Sequence, residues 1–438
     1  MSDTIYALSS GRPPAGIAVI RISGPHSLAI LDLFTGDVKR GDPRRAHLRN
    51  LFDPANGDLL DQALILFFPG PASVTGEDLV EWHCHGGQAI VRAVLAALAG
   101  QGIGRGGRFT LREARPGEFT RRAFENGRID LNEAEGLADL LAAETETQRR
   151  AALLMADGHF SRRLDEWRSR LLICSAQVES LLDFSDEDDV PESGADVALV
   201  EAMRALRADM IAQLAAPSAE RLRDGIHLVL AGPPNAGKST LLNALAGREA
   251  AIVSDIAGTT RDRIEVPVSL GGIAFVLTDT AGLAEDSKDH VELIGIDRAR
   301  QAMEHADILL WLGEPSECPR ADAIRIAAQK DRPGWLRSAD TDIALSALTG
   351  ENMDMLVDAI IARAQAYIPG EGDFALHQRQ RDAVALMADE LEQACVEEDL
   401  LIVAEHLREA RGAMDRLIGR AGVEDMLDNL FGRFCIGK

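Results

Sequence analysis

The chain has 438 residues, a formal charge of −24 and 46% apolar residues. That length accommodates about three domains of ordinary size, each with its own core. The acidic balance excludes a protein that coats nucleic acid non-specifically, because phosphate binding needs clustered Lys and Arg.

From Thr4 to about Pro116, short apolar runs read as strands: Ile17 to Ile22, Ala63 to Phe68 and Leu79 to His83, with one helix over Ala89 to Leu98. Residues 1–117 are therefore expected to form an α+β domain. Met1 to Arg128 hold 15 Lys plus Arg against 13 Asp plus Glu, a balance of +2 that leaves −26 for the remainder, so a polyanion contact is expected in this part. Along the strand, alternation points His83 and His85 to one face and Cys84 to the other, leaving a metal site, a polar binding face and plain structure as alternatives.

The segment Ala114 to Leu131 closes this domain with Pro116 and Gly117, and helical periodicity follows over 118–220. Leu137, Leu140, Leu141, Leu153, Leu154, Leu164, Leu171, Leu172, Val178, Leu181 and Leu182 are expected on its buried side. The run Asp186 to Asp189 reads as a solvated loop, and Val197 to Ala215 as a further helix. Periodicity returns over 369–438, through Leu376, Val384, Leu386, Leu391, Ile402, Leu407 and Met414 among others. A helical region on both sides of 221–368 predicts that the intervening unit is inserted into one helical domain. The five cysteines, Cys84, Cys174, Cys318, Cys395 and Cys435, are scattered and lack paired zinc-ligand spacing. With no basic-then-apolar leader and no apolar run of about eighteen residues, a soluble cytoplasmic protein without a membrane segment is expected.

The inserted unit carries the chemistry. Ala231-Gly232-Pro233-Pro234-Asn235-Ala236-Gly237-Lys238-Ser239-Thr240 fits a phosphate-binding loop, preceded by the strand-like run Ile226 to Leu230 and followed by Leu241, Leu242, Ala244 and Leu245 at helical spacing. Gly232 and Gly237 let successive backbone N–H groups face an anion. Lys238 is expected to reach the β and γ phosphates, and Ser239 to ligate Mg²⁺. Downstream, Ser254-Asp255-Ile256-Ala257-Gly258-Thr259-Thr260 offers Thr260 as a second Mg²⁺ ligand. Asp279-Thr280-Ala281-Gly282 offers a carboxylate to the Mg²⁺ shell and an amide that senses the γ-phosphate. Ser346-Ala347-Leu348 is placed to grip a guanine base by backbone amides. Asp331 pairs with the guanine N1 and N2 hydrogens if it is the aspartate of an Asn-Lys-x-Asp element, in which case Ala328 and Gln329 stand where Asn and Lys are expected. A Ras-like GTPase unit follows. Leu283 stands where such proteins carry a water-orienting glutamine, so Glu292 is the carboxylate expected to position the nucleophile, with an exposed helix glutamate as the alternative.

Four segments together, Gly-Pro-Pro-Asn235-Ala-Gly-Lys-Ser, Asp255-Ile-Ala-Gly-Thr-Thr-Arg, Arg115-Pro-Gly-Glu-Phe-Thr-Arg-Arg-Ala-Phe and the terminal Phe434-Cys435-Ile436-Gly437-Lys438, resemble the MnmE (TrmE) family of tRNA-modification GTPases along the whole length. The resemblance implies an N-terminal folate-binding domain that dimerises, a helical domain, and an inserted P-loop G domain. It implies a K⁺-stimulated GTPase working with the FAD protein MnmG to add a carboxymethylaminomethyl or aminomethyl group at C5 of the wobble uridine of certain tRNAs. The carbon would come from 5,10-methylenetetrahydrofolate, with a 5-formyl analogue as a stand-in. Arg21, Glu81, Arg128 and Lys438 match the family's folate contacts, Arg128 standing where lysine is usual. Cys435 matches a catalytic cysteine near the folate, with a packing cysteine as the alternative. Asn235, Ser254, Ile256 and Thr259 match the K⁺ ligands, the ion taking the part of an arginine finger. A ribosome-assembly switch of the Era or EngA type and a stand-alone folate aminomethyltransferase are the competing readings.

Overall fold

A computed structural model of the chain describes residues 3–36, 41–103, 106–183, 195–248, 265–280, 292–338, 340–370, 372–419, 424–432 and 434–437, with 195–196, 292–298, 424–426 and 429 described by their backbone alone. In chain order the elements are β1 (Thr4–Leu8), β2 (Ile17–Ser23), α1 (Ser27–Thr35), β3 (His47–Phe52), β4 (Leu59–Phe68), β5 (Leu79–His85), α2 (Gln88–Gly100), β6 (Leu111–Glu113), α3 (Glu118–Glu125), α4 (Leu131–Ala142), α5 (Glu146–Ala156), α6 (His159–Asp183), α7 (Ala195–Leu214) and α8 (Ala219–Asp224). There follow β7 (Ile226–Ala231), α9 (Lys238–Arg248), β8 (Glu265–Leu270), β9 (Ile273–Asp279), α10 (Glu292–His305), β10 (Ile308–Trp311), β11 (Ile324–Ala327), β12 (Ile343–Ala344), α11 (Met353–Ala364), α12 (Gln378–Val396), α13 (Leu400–Ile418) and α14 (Glu424–Gly432). Backbone proximity divides the chain into two units, Met1–Ala138 with Asp415–Lys438, and Asp139–Met414.

The first unit is built on a sheet in the order β3-β4-β5-β2-β1-β6, antiparallel except where β1 runs beside β6. Alternation in β2 and β5 sends Ile20, Ile22, Val80, Trp82 and Cys84 into a core shared with Phe34 of α1 and Val94 and Leu98 of α2. Phe34 and Trp82 pack with ring centroids 5.0 Å apart. A smaller cluster of Ile5, Ala7, Ala114 and Phe119 brings in α3. Gly117 explains the Pro-Gly start of that helix, because its φ is 66° and a Cβ there would come within 2.3 Å of the Phe431 carbonyl oxygen.

Within α3, Arg122 is fully buried and spans Asp3, Glu77 and Glu118 at 2.9, 3.0 and 3.3 Å. Arg112 adds bonds of 2.7 Å to Asp3 and 2.5 Å to Glu118. Burial alone would raise the Asp3 and Glu118 carboxyls, but the Arg112 and Arg122 guanidiniums reverse this and hold both below their ordinary range. The C-terminal segment joins the same unit. Phe431 of α14 lies against Phe124 and Phe434, Arg121 bonds Asp428 at 2.6 Å, and Ile436 bridges to Pro116.

In the second unit, Leu164, Trp167, Leu171, Cys174 and Val178 form the buried stripe of α6 at alternating spacings of three and four. Leu199, Met203, Leu206 and Met210 of α7 and Val384, Met387, Leu391 and Ala394 of α12 continue the core. Leu141, Leu153 and Leu172 depart from the sequence expectation, since all three are exposed. Leu172 follows buried Leu171 by one residue, about 100° further round the helix, which turns it outward. A second sheet, in the order β12-β11-β10-β7-β9-β8, is parallel except at the β8–β9 hairpin. Its strands are near-continuous apolar runs because helices cover a parallel sheet.

Replacing Arg122 with Met removes the cation at Glu77 and leaves Asp3 and Glu118 with Arg112 alone. The variant is expected to lose about 3–5 kcal/mol at neutral pH in the denaturation step of the first unit, read by urea titration of the full chain. Carboxyls held low when folded contribute stability above their unfolded pKa and lose it as pH falls through the folded one, so the gap between parent and variant should narrow below about pH 4.

Candidate nucleotide site and N-terminal polar face

The phosphate loop joins β7 to α9 at the centre of the second sheet. Gly232 has φ 145°, and a Cβ there would lie 3.0 Å from the carbonyl carbon of Leu312, so the close pass of the chain after β10 requires glycine. Gly237 has φ 97° and Asn235, unusually for a non-glycine residue, φ 58°. These turns deliver the chain into the N-terminus of α9, whose first residue, Lys238, is only 5% exposed. Its Nζ donates to the carbonyls of Gly232 and Pro233, both at 2.9 Å, so the loop's own oxygens hold the ammonium over it. Ser239 Oγ donates to Asp279 Oδ2 at 2.6 Å, which brings together the two groups expected around Mg²⁺. Thr280 Oγ1 ties the end of β9 to the Leu230 carbonyl at 3.0 Å. A cavity of about 680 Å³ opens here, with Asn235, Lys238, Ser239, Thr240, Thr280, Gln329 and Arg332 in its lining. Ala236 packs instead against the sheet core.

Beyond β11, Gln329 Nε2 donates to the Asn235 carbonyl at 2.9 Å, and the Trp335 indole donates to the Ala328 carbonyl at 2.9 Å. The first contact was not legible in the sequence, because it joins segments 94 residues apart, whereas the second closes the loop after β11 on itself. Ser346 is fully buried and its Oγ donates to Asp331 Oδ1 at 2.6 Å. That bond holds the exposed Asp331 carboxyl below its ordinary range. Ala347 is half-buried and Leu348 exposed beside it. The expectations for Ser254, Asp255, Ile256, Ala257, Gly258, Thr259, Thr260, Ala281, Gly282, Leu283 and Lys438, and for the Glu292 side chain, lie outside the described residues.

In the first unit, the β2–β5 register sets Arg21 opposite Glu81, and Arg21 Nη2 and Nε reach Glu81 Oε1 at 2.7 and 3.0 Å. His83 Nε2 lies 3.3 Å from the other Glu81 oxygen, and the Arg21 guanidinium lies 5.6 Å from the Phe119 ring centroid. Arg128 is exposed, its Cγ 3.3 Å from where a Cβ on Gly76 would stand. Cys435 is exposed. His85 turns away to Asp61, its Nδ1 at 2.7 Å from Oδ1. Cys84 points into the core, where burial, with a lesser contribution from Asp61, pushes its thiol up to about 12. The described residues contain no cluster of three His, Cys, Asp or Glu suited to a metal.

The family model for the GTP-binding protein TrmE N-terminus matches residues 4–128, and that for the MnmE helical domain matches 131–435. A protein called tRNA modification GTPase MnmE from Rhizorhabdus wittichii is 58% identical over 438 residues, covering 100% of this chain and 97% of its own length. Proteins of the same name from Novosphingobium aromaticivorans and Erythrobacter litoralis are 51% and 53% identical, each covering 100% of both chains. The chain belongs to the MnmE family of tRNA modification GTPases. This sets aside the Era or EngA reading and the stand-alone aminomethyltransferase. One of the segments that carried the resemblance, Arg115 to Phe124, contains the buried Arg122, so its motif is in part a packing requirement of the first unit.

Removing the Ser346 hydroxyl with Ser346→Ala should let the Asp331 carboxyl rise towards its ordinary value. Affinity for a fluorescent GDP is expected to fall roughly tenfold at neutral pH. The loss should grow as the pH is lowered, since the variant's Asp331 protonates first, and titration across a pH series measures it.

Proposed function

We propose that this chain hydrolyses GTP at the Lys238–Ser239–Asp279 site and, with an FAD-bearing MnmG partner, carries out folate-dependent addition of a carboxymethylaminomethyl or aminomethyl group at C5 of the tRNA wobble uridine. The observation that carries the GTPase part is the Ser239 hydroxyl held 2.6 Å from the Asp279 carboxylate at the start of the α9 helix, with Lys238 beside it. The tRNA part rests on the name shared by relatives that match end to end.

The residues divide the work by their chemistry. Backbone N–H groups from Asn235 to Thr240 cradle the phosphates, aided by the positive end of α9. Lys238 exchanges its carbonyl partners for phosphate oxygens. Ser239 and Thr260 hold Mg²⁺, with Asp279 orienting Ser239 and the outer shell; the ion supplies neutralisation of phosphate charge. Asn235 lines the cavity with Lys238 and Ser239, and its carboxamide oxygen is the side-chain ligand that the K⁺ reading assigns to the ion. Ser254, Ile256 and Thr259 complete the K⁺ site, and Glu292 positions the nucleophile in place of the glutamine that Leu283 displaces. Asp331 reads guanine with Ser346, Ala347 and Leu348 gripping the base, and Asp255, Ala257 and Gly258 belong to the GTP-binding set.

In the N-terminal unit, Arg21, Glu81, Arg128 and Lys438 hold the folate, and Cys435 stands near it. The Arg21–Glu81 pair supplies this face with both a fixed guanidinium and a carboxylate, which suits a ligand bearing an acidic tail and a pterin-type amide edge. Two such units pair as a homodimer in the cytoplasm.

Nucleosides from a strain lacking this chain, analysed by mass spectrometry, should have lost the modified wobble uridine; a normal profile rejects the proposal. Titration of the full chain with 5-formyltetrahydrofolate should show a saturable complex that Arg21→Ala weakens by roughly tenfold or more. Equal affinity in the two proteins would remove Arg21 from the site.

A further inference from the structure

The described lining of the nucleotide cavity carries two cations, Lys238 and Arg332, and no carboxylate. Lys238 already has partners, the carbonyls of Gly232 and Pro233, both at 2.9 Å. Arg332 differs: it is exposed, and among the described residues its guanidinium makes no hydrogen bond or ion pair. A guanidinium presents a planar fork of N–H donors that matches the oxygens of a phosphate. A cavity edged by two cations, one of them uncommitted, is complementary in charge to an anion that carries more than one negative group.

The backbone that bears Arg332 is fixed against the phosphate loop. Its N–H donates to the Gln329 carbonyl at 3.0 Å, and its carbonyl accepts the Trp335 N–H at 3.2 Å. The Trp335 indole closes the same turn on the Ala328 carbonyl at 2.9 Å, and Gln329 Nε2 ties it to the Asn235 carbonyl at 2.9 Å. Gln329 stands where a lysine is expected, and Lys330 is directed to Glu351 at 2.5 Å. Arg332 is therefore the cation that this loop sets on the described cavity wall. Besides the Ser346 hydroxyl, its charge contributes to holding the Asp331 carboxyl low, so an action on the base must be separated from one on the phosphates. The described lining favours the phosphates, because it includes Lys238 and Ser239 and not Asp331.

We propose that Arg332 binds the phosphate chain of the nucleotide, a second cation beside Lys238 that is delivered by the base-recognition loop. The proposal rests on the nucleotide reading of this cavity and adds to it a residue outside the phosphate-loop motif. It also gives the loop that reads the base a hold on the phosphates, so that one segment senses both ends of the nucleotide.

The test uses the full chain, with Arg332→Gln to remove the charge and Arg332→Lys to keep it without the fork. Binding of fluorescent GDP and of fluorescent inosine diphosphate, which lacks the 2-amino group that Asp331 would pair with, is titrated over a NaCl series at constant Mg²⁺. In Arg332→Gln both affinities are expected to fall by the same factor, roughly tenfold at low salt, the effect of losing one charge-assisted hydrogen bond. The gap to the parent should narrow as NaCl screens the contact, and Arg332→Lys should recover part of the loss. Unchanged GDP affinity in Arg332→Gln overturns the proposal. So does a loss confined to GDP with inosine diphosphate unaffected, because Arg332 would then act on the base through Asp331. A loss that stays constant across the salt series also overturns it, since that marks a disturbed loop rather than a missing charge. A parent that binds neither nucleotide overturns the nucleotide reading itself, and this proposal with it.

Discussion

The second unit depends on the stem where the chain enters and leaves its nucleotide-binding sheet. Arg381 donates to the carbonyls of Ala216 and Leu214 at 2.8 and 2.6 Å, Ala219 N–H to the Leu376 carbonyl at 3.1 Å, and Gln213 to the Phe374 carbonyl at 2.9 Å. The Gln378 N–H reaches Glu220 at 2.9 Å, and His377 Nε2 lies 2.7 Å from Asp139. Above these, α7 and α12 pack along one another, with Arg207 bonded to Glu392 at 2.8 Å. Holding both ends of a long segment in one place has an entropic cost that grows slowly with its length, so a paired stem lets a whole sheet and its helices be inserted without opening the helical core.

That anchorage has a mechanical counterpart at the sheet. The capping box at the start of α5, Thr145 with Gln148, leaves Thr147 free to bond the Gly272 carbonyl through both N–H and Oγ1, at 3.2 and 2.9 Å. Gln148 reaches the Leu222 carbonyl at 2.8 Å. Gly272 turns the β8–β9 hairpin, and β9 ends at Asp279, the carboxylate beside Ser239. A helix of the helical domain therefore grips the hairpin whose far end meets the nucleotide loop. In the first unit Arg122 plays the comparable role, gathering the N-terminal strand, the loop at Glu77 and helix α3 around one buried charge. An unpaired carboxylate there would be costly, so the cation and its partners stand or fall together.

Much of the architecture was legible because its signals are local. The phosphate loop lies between an apolar run and a helical period, Gly232 and Gly237 take the backbone angles that glycine permits, and the strands at Ile226, Ile308 and Ile324 are short apolar stretches. The site was legible to the extent that a residue type announces its chemistry: Lys238, Ser239 and Asp279 do converge. Assigning Leu141, Leu153 and Leu172 to a buried side failed, because periodicity orders residues around a helix without saying how wide its covered stripe is.

Sequence alone determined the family, the order of elements and the kinds of group available to a nucleotide, since these follow from motifs whose members lie within a few residues of one another. Only the tertiary structure decided that Ser346 bonds Asp331 and lowers its carboxyl, and that Gln329 holds Asn235. Each of these is a hydrogen bond a few ångströms long between segments whose approach depends on strand order and loop path. A hydrogen bond acts only at that range, and sequence spacing carries no information about which distant segments come within it.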